Sequence, residues 1–190
     1  MRKVLIPVLL ALVAVPAAGA KPPPRPLPPD QALPLINGPV SVDQSTATPV
    51  GKDAALAAMT AQGASTTVAG GYTSAAAAVA AATGCASVTS HVSWGTWPYQ
   101  RVLYENTYWC AVYGAYVTSS STTVTTDQTL CSRQNADHFI YSGGVGYSWV
   151  TVQANAAWSC PIIGFIPYSV GGWIRTAYNA YGSAQIVDHS

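Results

Sequence analysis

The chain has 190 residues, of which Lys and Arg number 8 and Asp and Glu number 7, so that only 8% are charged. Soluble domains ordinarily carry about 25% charged residues. The length accommodates one domain with a small appendage and excludes a second catalytic domain. A formal charge of +1, with no basic block, excludes the strongly basic surface that nucleic-acid binding usually needs.

The first twenty residues have the pattern of a secretory signal peptide. A positive start precedes an apolar run from Val4 to Val15 and the small-residue site Ala18-Gly19-Ala20. Prolines keep the uninterrupted apolar stretch well short of the roughly 20 residues of a membrane span. We therefore expect cleavage after Ala20, a secreted, extracellular chain, and no membrane span in its mature form.

Four cysteines follow the signal sequence: Cys85, Cys110, Cys131 and Cys160. An even number of cysteines in an oxidising compartment predicts two disulfides, whose pairing is one of three possibilities. A zinc site would need closely paired ligands such as C-x₂-C, and these cysteines are each more than twenty residues apart. We expect no metal and no other cofactor.

The composition predicts a spacer and a stalk before the folded domain. Residues 21–40 are rich in proline and are expected to be an extended, polyproline-II-like, solvated spacer. Residues 41–84 are rich in Ala, Thr, Ser and Gly and have almost no large side chains. We expect them to form a disordered or alanine-helical stalk, with docking on the following domain as the alternative.

Two short helices are possible within this stalk. Asp53 is a plausible N-cap for Ala54–Ala61, with Gly63 as a stop, and Ser74 for Ala75–Thr83. Helices this short are marginal in water when isolated, and alanine buries little apolar area. Their stability therefore depends on whether they contact the domain.

Residues 85–190 form the predicted folded domain, with all six tryptophans and every cysteine. Between Tyr147 and Cys160 apolar residues alternate with polar ones, as in a half-buried antiparallel strand. The hydroxyl-rich run Thr118–Thr126 is expected to be a solvated edge strand. Further β-rich runs occur at 87–94, 99–108, 115–126, 172–178 and 183–187. The prediction is an all-β fold, an antiparallel β-sandwich or small barrel stapled by two disulfides.

Four features of this domain resemble small, uncharacterised exported proteins of bacteria. They are Trp109-Cys110, the Gly143-Gly144 turn, Trp158-x-Cys160 at a strand end and a terminal hairpin. The resemblance covers about the last hundred residues. It implies export and a β fold, and it assigns no activity and no catalytic residue.

Few side chains in the domain suit catalysis. His91 lies in a predicted strand, and His138 follows Asp137 in the polar stretch 133–138, which is expected to be a loop. No Gly-x-Ser-x-Gly motif is present, and the pool of carboxylates is small. This scarcity favours a noncatalytic protein. The enzyme alternative is a small secreted hydrolase that uses Asp137 and His138.

Aromatic residues, in contrast, are abundant and suit a ligand-binding surface. Five are expected to be exposed, either on the polar side of a strand or in a loop: Trp94, Trp97, Tyr147, Trp149 and Trp173. Exposed rings stack on the apolar C–H faces of sugars, while nearby amides bind sugar hydroxyls. The hypothesis is a domain that binds a glycan, an envelope polymer or a protein at the cell surface, with a structural surface protein as the alternative.

Overall fold

The computed structural model describes residues 23–61 and 66–190, so the expected signal peptide and Gly63 lie outside the described residues. Three helices occur in these ranges: α1 (Pro29–Ile36), α2 (Lys52–Ala61) and α3 (Ala75–Ala81). The strands are β1 (Val40–Gln44), β2 (Thr48–Val50), β3 (Thr66–Val68), β4 (Gly84–Trp94), β5 (Arg101–Val112), β6 (Tyr116–Gln128), β7 (Ser132–Gly143), β8 (Trp149–Cys160), β9 (Tyr168–Asn179) and β10 (Ala184–His189). No helix within the described ranges is long and apolar enough to cross a membrane.

The strands form two antiparallel sheets that pack face to face, which confirms the predicted β-sandwich. The first sheet has the order β1–β4–β5–β6–β3, and β2 also pairs with β4. The second has the order β10–β9–β8–β7. Alternation in β8 is as predicted, because Val150, Val152, Ala154, Ala156, Trp158 and Cys160 are buried. The strands therefore present one apolar face inward and leave the other face for solvent or further elements.

Both predicted disulfides form, and each joins neighbouring strands of one sheet. Cys85–Cys110 links opposed residues of β4 and β5, and Cys131–Cys160 links the residue just before β7 to the end of β8. Their sequence separations are 25 and 29 residues. In the chain-entropy account, loops of this length stabilise the folded state by about 3 to 4 kcal/mol each.

Part of the proline-rich segment is helical and buried, whereas we expected it to be extended and solvated. Ala32 and Ile36 of α1 lie in the core beside Trp158. Arg101 Nη2 donates to the Ile36 carbonyl at 3.0 Å, which satisfies an acceptor at the end of the helix. Proline is compatible with the start of a helix, and here Pro29 occupies the first turn.

The two alanine-rich helices form, and they lie against the first sheet. Ser74 caps α3 as predicted, accepting from the Ala77 amide at 3.2 Å, whereas α2 begins one residue before Asp53. Ala55 and Met59 of α2 are buried with the Cys85–Cys110 disulfide. Residues 52–61 and 75–81 therefore dock on the following domain, which was the alternative to a free stalk. The disulfide provides an apolar surface that these short alanine-rich helices can cover.

The interior of the sandwich has two apolar clusters with polar residues between them. One cluster surrounds Trp94 and Trp158, and the other surrounds Trp109 and Tyr178. Between the clusters lie buried side chains that carry hydroxyl or carboxyl groups, here called the polar layer: Ser90, Glu105, Thr107, Ser120, Thr122 and Thr176. The first half of the hydroxyl-rich strand β6 contributes to this layer and is buried, so the expectation of a solvated edge strand is wrong for residues 118–122.

Glu105 is the only acidic side chain that is fully buried among the described residues. One carboxyl oxygen accepts from the Thr107 hydroxyl at 3.2 Å. The other has no partner of ordinary geometry, since the nearby Thr176 hydroxyl donates to Ser90 at 3.1 Å. Burial raises the pKa of Glu105 from 4.5 to about 8, and the Thr107 and Thr176 hydroxyls offset part of this rise. The carboxyl group is therefore protonated in the folded protein at neutral pH.

The raised pKa of Glu105 predicts that the fold loses stability as the pH rises. Between about pH 4.5 and about pH 8 the folded state keeps a proton that the unfolded state releases. The free energy of unfolding should then fall by a few kcal/mol over this range, since one pKa unit corresponds to about 1.4 kcal/mol. Glu105→Gln should flatten this part of the profile in urea denaturation, whereas Asp127→Asn, at an exposed carboxylate, should keep it. A wild-type profile that is level over the same range would contradict the assignment.

A close approach in the core gives a second prediction. The Trp94 and Trp158 rings lie 5.5 Å apart, and a Cβ added at the buried Gly172 would overlap the Trp94 indole. Gly172→Ala should therefore lower the free energy of unfolding by about 1 to 3 kcal/mol through overpacking. Gly171→Ala is the matched control, since its Cβ would lie 3.6 Å from the nearest atom, the Ala156 carbonyl oxygen. Equal denaturation midpoints for the two variants would show that Trp94 is not held against Gly172.

Candidate functional site

The five aromatic candidates occupy different surroundings. Trp94 is only 6% exposed, so the expectation that its side chain is exposed is wrong: its ring fills the core against Trp158. Although Trp94 ends a strand before a turn, the alternation of β4 places it on the inner face with Val92. Trp97, Tyr147 and Trp149 are exposed, and Trp173 is half-buried.

The exposed candidates do not form one platform. Trp97 follows β4 at the end of the sandwich where β8 finishes, while Tyr147 and Trp149 lie where β8 begins. The nine residue steps from Trp149 to Trp158 separate these ends by roughly 30 Å, at about 3.3 Å per step. Trp149 and Trp173 lie on the outer side of the second sheet, whereas Tyr147 lies in the turn before β8, where its carbonyl accepts from the Val117 amide of β6 at 2.9 Å.

That outer side, here called the open face, combines aromatic, amide and charged side chains from four strands. The register and alternation of β7 to β10 place its members on one side of the sheet. They are Asp137, Phe139, Tyr141, Trp149, Gln153, Asn155, Trp173, Arg175, Gln185 and Asp188. Helices α2 and α3 cover the other sheet, and Phe139, Tyr141 and Trp149 are exposed.

A chain of hydrogen bonds crosses the open face. The Asn155 side-chain amide donates to Asp137 at 2.8 Å, and Gln153 Nε2 donates to Asn155 Oδ1 at 2.7 Å. Arg175 Nε donates to Gln153 at 2.7 Å, and its Nη1 pairs with Asp188 at 3.0 Å. Because these side chains hold one another, the amides have fixed orientations before any ligand binds. Both carboxylates have partners: Asp188 pairs with the Arg175 guanidinium, and Asp137 accepts from neutral amides.

Arg175 also lies between two aromatic rings. Its guanidinium carbon is 3.8 Å from the centre of the Tyr141 ring and 4.3 Å from that of Trp173. Tyr141 is the extra residue of a β-bulge, where the pairing passes from Ile140–Val152 to Ser142–Thr151. A bulge redirects a side chain, and here it leaves Tyr141 over the guanidinium. The rings are thereby fixed in place.

A shallow depression lies on the open face beside Trp149. It has a volume of about 280 Å³, and its lining includes Trp149, Ser183 and Gln185. The Trp149 ring is held against Gly143, which has φ +70 and where an added Cβ would lie 2.8 Å from the ring. The depression thus has an exposed aromatic wall, 43% exposed at Trp149, and polar side chains that can bind hydroxyl groups.

The catalytic candidates are not brought together. Residues 133–138 belong to β7 and not to a loop, so Asp137 and His138 point to opposite sides of the strand. Asp137 binds Asn135 and Asn155, and burial lowers the pKa of His138 while the Asp137 charge raises it to a smaller extent. Polar residues fit a strand here because β7 is the sheet edge and its outer side is open.

His91 lies on the outer side of the first sheet. It is opposite Asp43 and Tyr104 in the register, and its ring is 5.4 Å from that of Tyr104. No hydrogen bond joins His91 to Asp43 among the described residues. The described part of the chain also holds no cluster of three His, Cys, Asp or Glu side chains that could bind a metal.

The open face includes residues that the sequence analysis did not single out. Alternation already places Gln153 and Asn155 on the side of Trp149, and Arg175 on that of Trp173. The alternation does not show that β8 pairs with β9, and it is this pairing that brings the two sets of residues together. Tyr141 has no periodic signal at all, because the bulge that positions it breaks the alternation.

No protein-family model, no curated protein and no solved structure matches this chain at the level required for significance.

Proposed function

We propose that the protein is exported and binds a neutral, hydroxyl-rich polymer, a glycan or other envelope polymer, on the open face without catalysing a reaction. The observation that carries this proposal is the position of the Trp149 ring, which forms one wall of a depression on a face of oriented amides. An aromatic wall binds the C–H face of a sugar, and amides and hydroxyls bind its equatorial oxygens.

The electrostatics of the open face favour a neutral ligand. Asp188 is paired with Arg175, and Asp137 accepts from the amides of Asn135 and Asn155. An ionic ligand would have to replace these contacts, and the replaced groups would then lack partners. A hydroxyl-rich ligand can instead add to the network, since hydroxyl groups both donate and accept.

Several features support export. The N-terminal pattern is that of a signal peptide, the two disulfides suit an oxidising compartment, and the resemblance is to exported bacterial proteins. Neutral polymers of a cell envelope would be present in such a compartment.

Truncation of Trp149 tests the binding proposal. Trp149→Ala should weaken binding by about tenfold or more, because it removes the aromatic wall. Trp97→Ala is the matched control, since Trp97 is also exposed but lies at the other end of the sandwich. Isothermal titration of the chain from Lys21 onward with cello-oligosaccharides and dextran measures the effect. No binding of any of these probes, or an equal loss in both variants, would overturn the proposal.

Export gives a separate prediction. A bacterial host that makes the full chain should release a protein whose first residue is Lys21, because cleavage is expected after Ala20. Mass spectrometry of the extracellular fraction measures the N-terminus. Replacing Ala18 and Ala20 with bulky residues should leave the precursor uncleaved. An intact chain that accumulates in the cytoplasm of the wild type would contradict export.

A further inference from the structure

The connection between β8 and β9, residues 161–167, projects three large apolar side chains at one end of the sandwich. Ile166 is 89% exposed and Phe165 is 68% exposed, and Ile163 is exposed beside them. These three residues are here called the apolar tip. Isolated exposed apolar residues are common in soluble domains, but three within four positions form a continuous patch.

The apolar tip is held in a defined conformation. A turn closes it, with the Phe165 amide donating to the Ile162 carbonyl at 3.3 Å and Gly164 at φ +76. The Ile163 amide donates to the Leu27 carbonyl at 3.0 Å. Tyr99 links the same segments, since its hydroxyl accepts from the Leu27 amide at 2.9 Å and donates to the Pro161 carbonyl at 3.0 Å. Little ordering of the backbone is then needed when the tip meets a partner.

The backbone of this connection exposes few hydrogen-bond donors. Pro161 and Pro167 have no amide N–H, and the amides of Ile163 and Phe165 are already bonded. A lipid interior does not satisfy free amides, so a segment with few of them enters it at low cost. This property suits a lipid interior, where no neighbouring group can accept from a free amide.

The surroundings of the tip indicate an uncharged partner surface. No charged residue occurs from Cys160 to Ser169. Two aromatic residues that suit a membrane interface, Trp97 and Tyr168, lie at the same end of the sandwich and are exposed. The exposed charges at this end are of both signs, Arg25 and Arg133 against Asp30 and Asp127.

We propose that the apolar tip inserts into the surface of a lipid bilayer, with no requirement for anionic lipid. The tip is convex, so a protein partner would need a matching apolar groove, whereas a bilayer accepts a projecting side chain without one. A few inserted side chains give weak, reversible attachment. This surface is distinct from the open face, which lies along the side of the second sheet.

Vesicle flotation tests the proposal. The chain from Lys21 onward, which keeps every described element, should float with vesicles of pure phosphatidylcholine, and high salt should not release it. The double variant Phe165→Ser, Ile166→Ser should lose about tenfold or more of this partitioning. The control Tyr113→Ser, Tyr181→Ser removes two exposed rings at the opposite end and should partition like the wild type. Thermal unfolding of each variant confirms that it is folded.

A second variant keeps the proposal testable if the serine variant fails to fold. Phe165→Trp retains an apolar ring at the tip, so it should float, and brominated acyl chains should quench its added fluorescence. The proposal is overturned if the wild type does not float or if both double variants float equally. Self-association of the wild type without vesicles, lost in Phe165→Ser, Ile166→Ser, would also overturn it, since the tip would then bind a second copy.

Discussion

The inward packing of the two sheets is the constraint on which the rest of the structure depends. Each strand has only two sides. The residues of the apolar clusters and the polar layer occupy the inner sides of both sheets. Every surface available for function is therefore an outer side of a sheet or an end of the sandwich. The helices α2 and α3 cover part of one outer side through the Cys85–Cys110 disulfide, which leaves the second sheet open.

The polar layer and the open face place carboxyl side chains in opposite surroundings. Inside, hydroxyl groups of Thr107, Thr122 and Thr176 surround a carboxyl group that burial keeps neutral. Outside, Arg175 and Asp188 form an ion pair at 3.0 Å at the surface. The chain has few charged residues, and it buries the carboxyl group of Glu105 in the uncharged form while Arg175 and Asp188 form a pair at the surface.

Most of what could be predicted from the sequence came from the alternation of apolar and polar residues along the strands. This alternation identified β8 with its inner face, and the even number of cysteines after the predicted signal peptide indicated both disulfides. Trp94 is the last residue of β4 and continues its inner row, although the Gly95-Thr96 turn beside it favours a loop position. The polarity of residues 133–138 favours a loop, but polarity alone does not distinguish a loop from an edge strand.

Long-range pairing accounts for what the sequence could not show. Neither the docking of α1 through Arg101 nor the contact of α2 with a disulfide has a local signal, because each depends on residues more than twenty positions away. The same holds for the open face, where the meeting of Gln153 with Arg175 requires β8 and β9 to be neighbours in one register.

The placement of the disulfides has a mechanical consequence. Each bond lies within one sheet, so no covalent link other than the main chain joins the sheet of α1 and β1 to the sheet that ends in β10. A force that pulls the two ends of the chain apart loads the noncovalent interface between the sheets. The disulfides close loops of 25 and 29 residues, and these loops cannot extend. The maximum end-to-end length of the unfolded chain is therefore shorter by about 85 Å and about 100 Å, respectively. The molecule would therefore yield by sliding of its sheets and stop short of full extension until the bonds are reduced.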